Sequence, residues 1–371
     1  MSTHELYVIP ADMATWDVQA MGHARFNWDY DAGRDRMLAL YQKGKDKQWD
    51  STKRIDWSQQ VDPDNPAGLP DRLNPLRDTP IWEAMNDAEQ RELTRHLGAW
   101  TFSQFLHGEQ GAMICAARIV ESVPDIDSKF YSATQTMDEA RHAETYSRLL
   151  KEKVGMFYPI NPHLKALLDN TLSDSRWDMP YLGMQVLIEG LAQAAFGIFR
   201  DMSKEPLIKQ VLAYVMEDEA RHVAFGRMAL RDHYKGLTRA ELSEREEFVI
   251  EGAHLMRDRF KFQEVIENLE LPKEECLRLI DESPAYNWYR NLLFSRLVPC
   301  VRDIGLWSEK VQKAFDDLGV LDAADISLDD LSQVDENIAN RMDKLRFEAE
   351  EKARVKEVHD TIALGVQAQA S

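Results

Sequence analysis

Cysteine is scarce in this chain. Its 371 residues hold only Cys115, Cys276 and Cys300, with no Cys-x-x-Cys pair among them. Rubredoxin-type iron, zinc ribbons and disulfide-stapled scaffolds are thereby excluded, and the three thiols read as reduced, buried and structural. Positive charge is short as well. Lys and Arg total 45 against 64 Asp and Glu, a net charge of −19, which argues against unaided binding to nucleic acid or to an anionic membrane surface. No apolar run approaches the roughly 18 residues of a membrane span. Met1 to Pro10 carries no basic stretch followed by an apolar core and a small-residue cleavage site, so a soluble, cytoplasmic protein is the expectation. Alternation of apolar and polar residues is missing too, and strands are not expected.

Helical periodicity, broken by clear punctuation, is what the chain does have. Asn86 with Glu89 forms a capping box, and apolar periodicity runs from there to Val123 without proline. Pro124 ends it, Asp125 and Asp127 offer caps, and a second run reaches about Val154 before Gly155. Further helices are expected over 164–172, 181–202 and 207–234. Gly236 stops the last of these, and Thr238 with Glu241 opens another through a second capping box. Pro272, Pro284 and Pro299 punctuate the remainder, helical to about Val358. The expected fold is all-α in three parts: an arm over 1–85, a four-helix bundle over 86–235, and a helical extension over 236–371. In the arm, Trp49 and Trp57 are expected to anchor packing; in the extension, Asp329 to Glu357 is expected to form a solvated face.

An internal repeat carries the chemistry. Asp138-Glu139-Ala140-Arg141-His142 recurs identically 80 residues later as Asp218-Glu219-Ala220-Arg221-His222. Thirty residues before each repeated glutamate stands a lone acid inside an apolar helix, Glu109 and Glu189. In an antiparallel hairpin, residues at equal depth lie equally far from the turn. Glu109 and Glu139 therefore need a turn near 124, where Pro124 stands, and Glu189 and Glu219 need one near 204, inside Ser203-Lys204-Glu205-Pro206. At about 1.5 Å rise per residue each carboxylate sits roughly 22 Å from its turn, so all four meet in the middle of the bundle. Glu139 and His142 share a helix face, as do Glu219 and His222. Carboxylates crowded in a core need cations, and four Glu with two His suit a pair of iron or manganese ions. Asp138, Arg141, Asp218 and Arg221 are placed to support the histidines from behind, since a ligating imidazole commonly donates its other N–H to a carboxylate.

These residues resemble the ferritin-like di-iron carboxylate superfamily over roughly residues 86–234, and the doubled motif is similar to its oxygen-activating branch. That branch includes multicomponent monooxygenases, acyl-carrier-protein desaturases, ribonucleotide reductase small subunits, ligand-binding oxidases and arylamine N-oxygenases. The resemblance implies that Glu109, Glu139 and His142 bind one iron and Glu189, Glu219 and His222 the other, with some glutamates bridging; manganese or a mixed Mn/Fe pair is the alternative filling. Multicomponent hydroxylases usually carry a threonine where this chain has Gln193. Arylamine N-oxygenases add a histidine where this chain has Val215, and Tyr146 lies one heptad beyond Glu139. Gln193 and Tyr146 are thus the candidate reactive residues beside the metals. Helix faces assign Phe105, Ala112, Met113, Gln185, Ala192, Phe196 and Val215 to a largely apolar substrate pocket.

The resemblance implies a monooxygenase or oxidase that uses O₂ on an apolar or amphipathic organic substrate. Electrons are expected from a separate reductase or ferredoxin, because no strand-borne GxGxxG fingerprint is present, and a homodimer is expected. The rival readings are ferroxidase or iron storage, a di-manganese peroxide-detoxifying enzyme, and a non-catalytic scaffold subunit.

Overall fold

A computed structural model describes residues 3–9, 17–19, 22–30 and 33–369. Part of the Met1 to Pro10 stretch read above lies outside the described residues. The regular pieces of the arm are α1 (Asp35–Asp46), α2 (Ser51–Arg54) and α3 (Pro80–Ala84). The bundle region follows with α4 (Asp87–Ser122), α5 (Ile126–Leu149), α6 (Pro162–Ser173), α7 (Glu189–Met202) and α8 (Pro206–Tyr234). Five α-helices and a long last one complete the chain: α9 (Arg239–Asp258), α10 (Gln263–Asn268), α11 (Lys273–Glu282), α12 (Pro284–Asp303), α13 (Glu309–Asp317) and α14 (Leu328–Gln369). No strand occurs among the described residues; one isolated parallel bridge joins Tyr7 to Phe157. The chain is all-α.

Helix starts follow the capping chemistry. The Asn86 side chain accepts from the amides of Ala88 and Glu89 while the Glu89 carboxylate accepts from the Asn86 amide, and Thr238 and Glu241 form the same reciprocal pair at α9. Asp125 caps α5 through the Ser128 amide. Two stretches depart from α geometry. Leu150–Val154, which closes at Gly155 in a left-handed turn, and Tyr181–Ile188, which runs directly into Glu189, are π-helical. Pro299 does not punctuate: it lies inside α12.

The hairpins expected around Pro124 and Ser203–Pro206 are the tightest associations in the molecule, α4 against α5 and α7 against α8. Helix α1 packs on α5 and α8, α12 on α7, and α14 on α8, so arm and extension clothe the bundle on several sides. One apolar cluster runs from Met37 and Trp82 in the arm through Phe102, Leu187 and Phe225 to Phe315, and each such fully buried side chain stabilises the fold by about 1.5–3 kcal/mol. Tyr181–Met202 is, by length and mean hydropathy of 1.4, apolar enough to cross a membrane, contrary to the reading that no run approaches that length. Its window is 83% buried inside the bundle and carries Glu189, which marks it as a core helix.

The side chains of residue 353 and of 355–357 lie outside the described residues; over the rest of Asp329–Glu357 the expectation of a solvated face holds for one side only. The other docks through charge. Asp335 is buried between Arg200 and Arg296 at 2.8 and 2.7 Å, Asp343 meets Arg54 at 2.7 Å, and Glu336 meets Lys43 at 2.9 Å.

Candidate metal centre

The helix hairpins bring all six predicted donors to one level. Ligand atoms of Glu109, Glu139, His142 and Glu219 lie within 4.8 Å of one another, and so do those of Glu139, Glu189, Glu219 and His222. Both sets are buried, and they share Glu139 and Glu219. His142 presents Nδ1 at 3.3 Å from Glu109, 3.2 Å from Glu139 and 3.1 Å from Glu219. His222 presents Nδ1 at 3.0 Å from Glu139 and 3.4 Å from Glu219.

Electrostatics show how tightly the groups are crowded. Burial, reinforced by Glu219, pushes the carboxyls of Glu109 and Glu189 well above their ordinary range. Burial acts the same way on Glu139, but His222 and His142 outweigh it and hold that carboxyl low. Burial opposes charge on the histidines; Glu109 acting on His142, and Glu139 and Glu219 on His222, overcome it and raise both well above an ordinary imidazole. A core cannot keep four carboxylates without matching positive charge, and hard oxygen donors plus two imidazoles are the set that divalent iron or manganese accepts. The Glu189 Oε2 atom has no hydrogen-bond partner among the described residues, a lone pair left for such a cation. The residues present fit a metal pair.

Behind the histidines the two motifs cross over. His142 Nε2 lies 3.0 Å from Asp218, on the other repeat, and His222 Nε2 lies 3.2 Å from Asp138. Arg141 donates to Asp138 and, at 2.8 Å, to Asp218; Arg221 pairs with Asp218 and lies 3.8 Å from Asp138. Burial opposes ionisation of Asp218, yet Arg221, His142 and Arg141 hold it well below the usual carboxylate range. An ionised aspartate on Nε2 keeps that nitrogen the proton-bearing one, so that Nδ1, facing the glutamates, is the atom that would exchange its proton for a metal. Two arm residues complete the layer. Trp49 donates its indole N–H to Asp218 at 2.8 Å, and Gln48 bridges Asp138 and Arg141 at 2.6 and 2.7 Å. Trp49 is therefore more than the packing anchor expected from the sequence, while Trp57 donates to the Ser51 carbonyl within the arm. No local pattern in Lys45–Asp50 pointed at a residue 169 positions away. On the bundle side, Gln135 donates to Glu139 and Glu189 at 3.0 and 2.9 Å.

A narrow cavity opens on the other side of the cluster, lined by Gln104, Phe105, Gly108, Glu109, Ala112, Met184, Ile188, Glu189, Ala192, Phe196, Glu219 and Arg259. Phe105, Ala112, Ala192 and Phe196 stand where helix faces put them. Met113, Gln185 and Val215 do not line it. Met113 is only half-buried, the Gln185 amide meets that of Gln135 at 3.2 Å, and Val215 is buried in α8 without adding a donor to the six. Gln193 is also absent from the lining: its Oε1 accepts from Arg296 at 3.2 Å, toward α12. Tyr146 is fully buried against the rings of Phe105 and Phe196, and its hydroxyl has no partner among the described residues. Burial, Glu109 and Glu219 keep that phenol protonated far above its ordinary range. Cys115 is buried close enough for Glu189 and Glu139 to add to the effect of burial in raising its thiol, so it is inert; Cys276 and Cys300 are buried and free as well.

A helical bundle whose core carries two crossed Glu-x-x-His motifs and two further glutamates defines a ferritin-like di-metal carboxylate protein. The profile of one family, described as P-aminobenzoate N-oxygenase AurF, matches residues 31–305. The chain belongs to that family, and it is an oxidoreductase whose cofactor is a metal pair. No individually curated protein matches the sequence. Solved structures similar to it include variants of an R2-like ligand-binding oxidase. One with an anaerobically reconstituted Mn/Fe cofactor shares 17% identity over 75% of this chain and 96% of its own, with a TM-score of 0.45. A second shares 18% at the same coverage and TM-score, and a third, aerobically reconstituted with Mn and Fe, shares 17% at a TM-score of 0.46.

Proposed function

We propose that this enzyme is a di-iron N-oxygenase or related oxygenase that acts on an apolar or amphipathic aromatic amine, the substrate class carried by its family's name. The observation that supports this reading is the juxtaposition of the six-donor cluster with an aromatic-walled cavity on which three of its carboxylates, Glu109, Glu189 and Glu219, open. Beside it, Glu109, Glu139 and His142 would hold one metal and Glu189, Glu219 and His222 the other. A metal pair held there supplies O₂ activation: one oxygen atom passes to the substrate and the other leaves as water, with two protons and two electrons from an external reductase or ferredoxin. Asp218 and Asp138 fix the histidine tautomers, and Phe105 and Phe196, edge to face at 4.6 Å, exclude water and position a planar ring. Tyr146, held protonated and unpartnered behind Phe105 and Phe196, offers a hydrogen bond rather than a proton. The bundle over 86–235 is the catalytic body, clothed by the arm and the extension, in a cytoplasmic homodimer.

Anaerobic titration with Fe(II), read by elemental analysis, is expected to saturate at two irons per chain. Addition of ¹⁸O₂, reductant and 4-aminobenzoate or aniline is then expected to give a nitrogen-oxygenated product carrying ¹⁸O. Uptake of many irons per chain without product would establish storage instead, and oxygen evolution from peroxide by a manganese-loaded protein would establish peroxide chemistry.

A further inference from the structure

A second cavity lies where the arm meets the bundle, away from the metal centre. Residues 65–75 of the arm form one wall, Thr94, Gly98 and Thr101 of α4 another, and the rings of Phe199, Phe262 and Tyr289 close it. Its free interior is about 80 Å³, against about 20 Å³ beside the metals, where there is room for little more than a water. Asp71 is the one exposed residue of its lining and marks the outer end; Phe199, 5% exposed, marks the inner one.

The two cavities are laid end to end. Thr94, Gly98 and Thr101 continue along the same face of α4 as Phe105, Gly108 and Ala112, three or four residues apart throughout. On α7 the numbers fall toward the metals instead, and Phe199 continues the face of Phe196 and Ala192. At 1.5 Å per residue, Thr101 and Phe105 are about 6 Å apart along the helix axis. Phe105 lines one space and Phe199 the other, and their rings meet edge to face at 5.7 Å as a partition.

A packing fault does not account for the arm cavity. Phe262 holds its place in the lining from the left-handed region, at φ 54°, which a bulky side chain rarely adopts, and Trp100 packs on its ring at 4.8 Å. Asn74 accepts from the Leu76 amide at 3.0 Å, while its Nδ2 is buried without a hydrogen-bond partner among the described residues. An unfilled apolar space and an idle buried donor both destabilise a fold, and one bound molecule would offset both. The wall itself is firmly tied: Ser203 donates to the Ala67 carbonyl at 2.7 Å, and a Cβ on Gly98 would stand 3.0 Å from Pro66 Cγ. Asp71, paired with Arg77 at 2.6 Å, is the only charged side chain in the lining, so no cation there answers an anion.

We propose that the arm cavity is an entry site that holds an uncharged apolar ring, its hydrogen-bond acceptor on Asn74 Nδ2, and that the ring passes on to the metals when Phe199 turns aside. This rests on reading the metal-side cavity as the place of reaction. Selection of the substrate thus begins in the arm, before the metal-binding helices are reached.

The test locates a heavy atom and needs no turnover. Metal-loaded crystals soaked with 4-bromobenzamide are expected to show anomalous bromine scattering between Phe199 and Tyr289; 4-bromobenzoate, of the same shape but anionic, is expected to leave the arm cavity empty. In solution, Asn74→Asp keeps the acceptor for Leu76 but loses the donor, and calorimetry is expected to show about tenfold weaker binding of the amide, the size of one hydrogen bond. Thr101→Phe fills the space and is expected to abolish binding and to lower kcat/KM for 4-bromoaniline with two metals per chain retained; Thr94→Phe does the same one turn away if that protein does not fold. Phe199→Leu is expected to bring bromine to the metal edge as well. An arm cavity left empty by the amide, equal occupancy by amide and acid, or unchanged affinity in Asn74→Asp overturns the proposal. So does bromine at the metal edge of Thr101→Phe, which would place the route elsewhere. Bromine in the arm cavity without oxygenated product sinks the proposed activity alone; oxygenation with unchanged kcat/KM in Thr101→Phe sinks the entry site alone.

Discussion

At the residue scale the histidines are governed by aspartates from the opposite repeat. Because Asp218 serves His142 and Asp138 serves His222, each half of the cluster depends on the other, and a change behind one histidine reaches a metal bound mainly by the other half. Asp218→Asn keeps the side chain's shape but lets the amide nitrogen face Arg141 and Arg221, and it loosens the hold on the His142 tautomer. We expect metal affinity to fall about 10–100-fold with little change in helix content, measured by competition with a chelator. Retention of wild-type affinity would show the crossed pairs to be incidental. The donors themselves were legible because the repeat, the equal offset to each lone glutamate and the helix breakers at each midpoint all pointed to one level. The crossing was not, since nothing local distinguishes Asp138 serving its own helix from Asp138 serving its neighbour. Trp49 was hidden for the same reason: it acts on Asp218, far away in sequence, and only the fold brings the two together.

Among the elements, the π-helical stretch Tyr181–Ile188 matters most for the site, because it delivers Glu189 and supplies Met184 and Ile188 to the cavity. Periodicity predicted a helix here and could not separate a π-helix from an α-helix, since side chains that are buried all round carry no moment to read. Its register depends on a close approach to α8. A Cβ built on Gly226 would stand 2.6 Å from Gln185 Cβ, so only glycine lets the two backbones meet. Gly226→Ala must push the π segment away, and we expect a destabilisation of about 1–3 kcal/mol from overpacking, read from the urea midpoint. Because the displaced segment carries Glu189, the same variant is expected to bind the second metal more weakly than the first in a stepwise titration. Equal loss at both would place the strain elsewhere. The capping boxes at Asn86 and Thr238 and the proline break at 124 were by contrast local patterns, and the structure reproduces them residue for residue.

For the whole molecule, arm and extension join the bundle through one continuous apolar cluster, to which α14 adds a set of ion pairs whose partners were not visible in the sequence. An amphipathic pattern announces a buried face, whereas a helix such as α14 that docks through Asp335, Asp343 and Glu336 has the composition of a solvated one. Those carboxylates set the conditions under which it stays docked. Burial raises Asp343, but its hydrogen bond and charge contact with Arg54 outweigh that and lower it; the hydrogen bond from Lys43 lowers Glu336. A group whose folded pKa lies below its unfolded value stabilises the fold above the unfolded value, about 3.9 for Asp and 4.3 for Glu, and loses that contribution as pH falls through the folded one. The docking of α14 is therefore fully present at neutral pH and weakens below about pH 4. Amide hydrogen exchange in the first half of α14 is expected to accelerate there before that of α4, whose apolar contacts do not titrate. Arg54→Met removes the partner that holds Asp343 ionised, leaves Glu217 short of a cation, and is expected to loosen α14 already at neutral pH. If α4 and α14 instead lose protection together at every pH, the extension and bundle form one cooperative unit, and the ion pairs of α14 are as rigid as the bundle they hold.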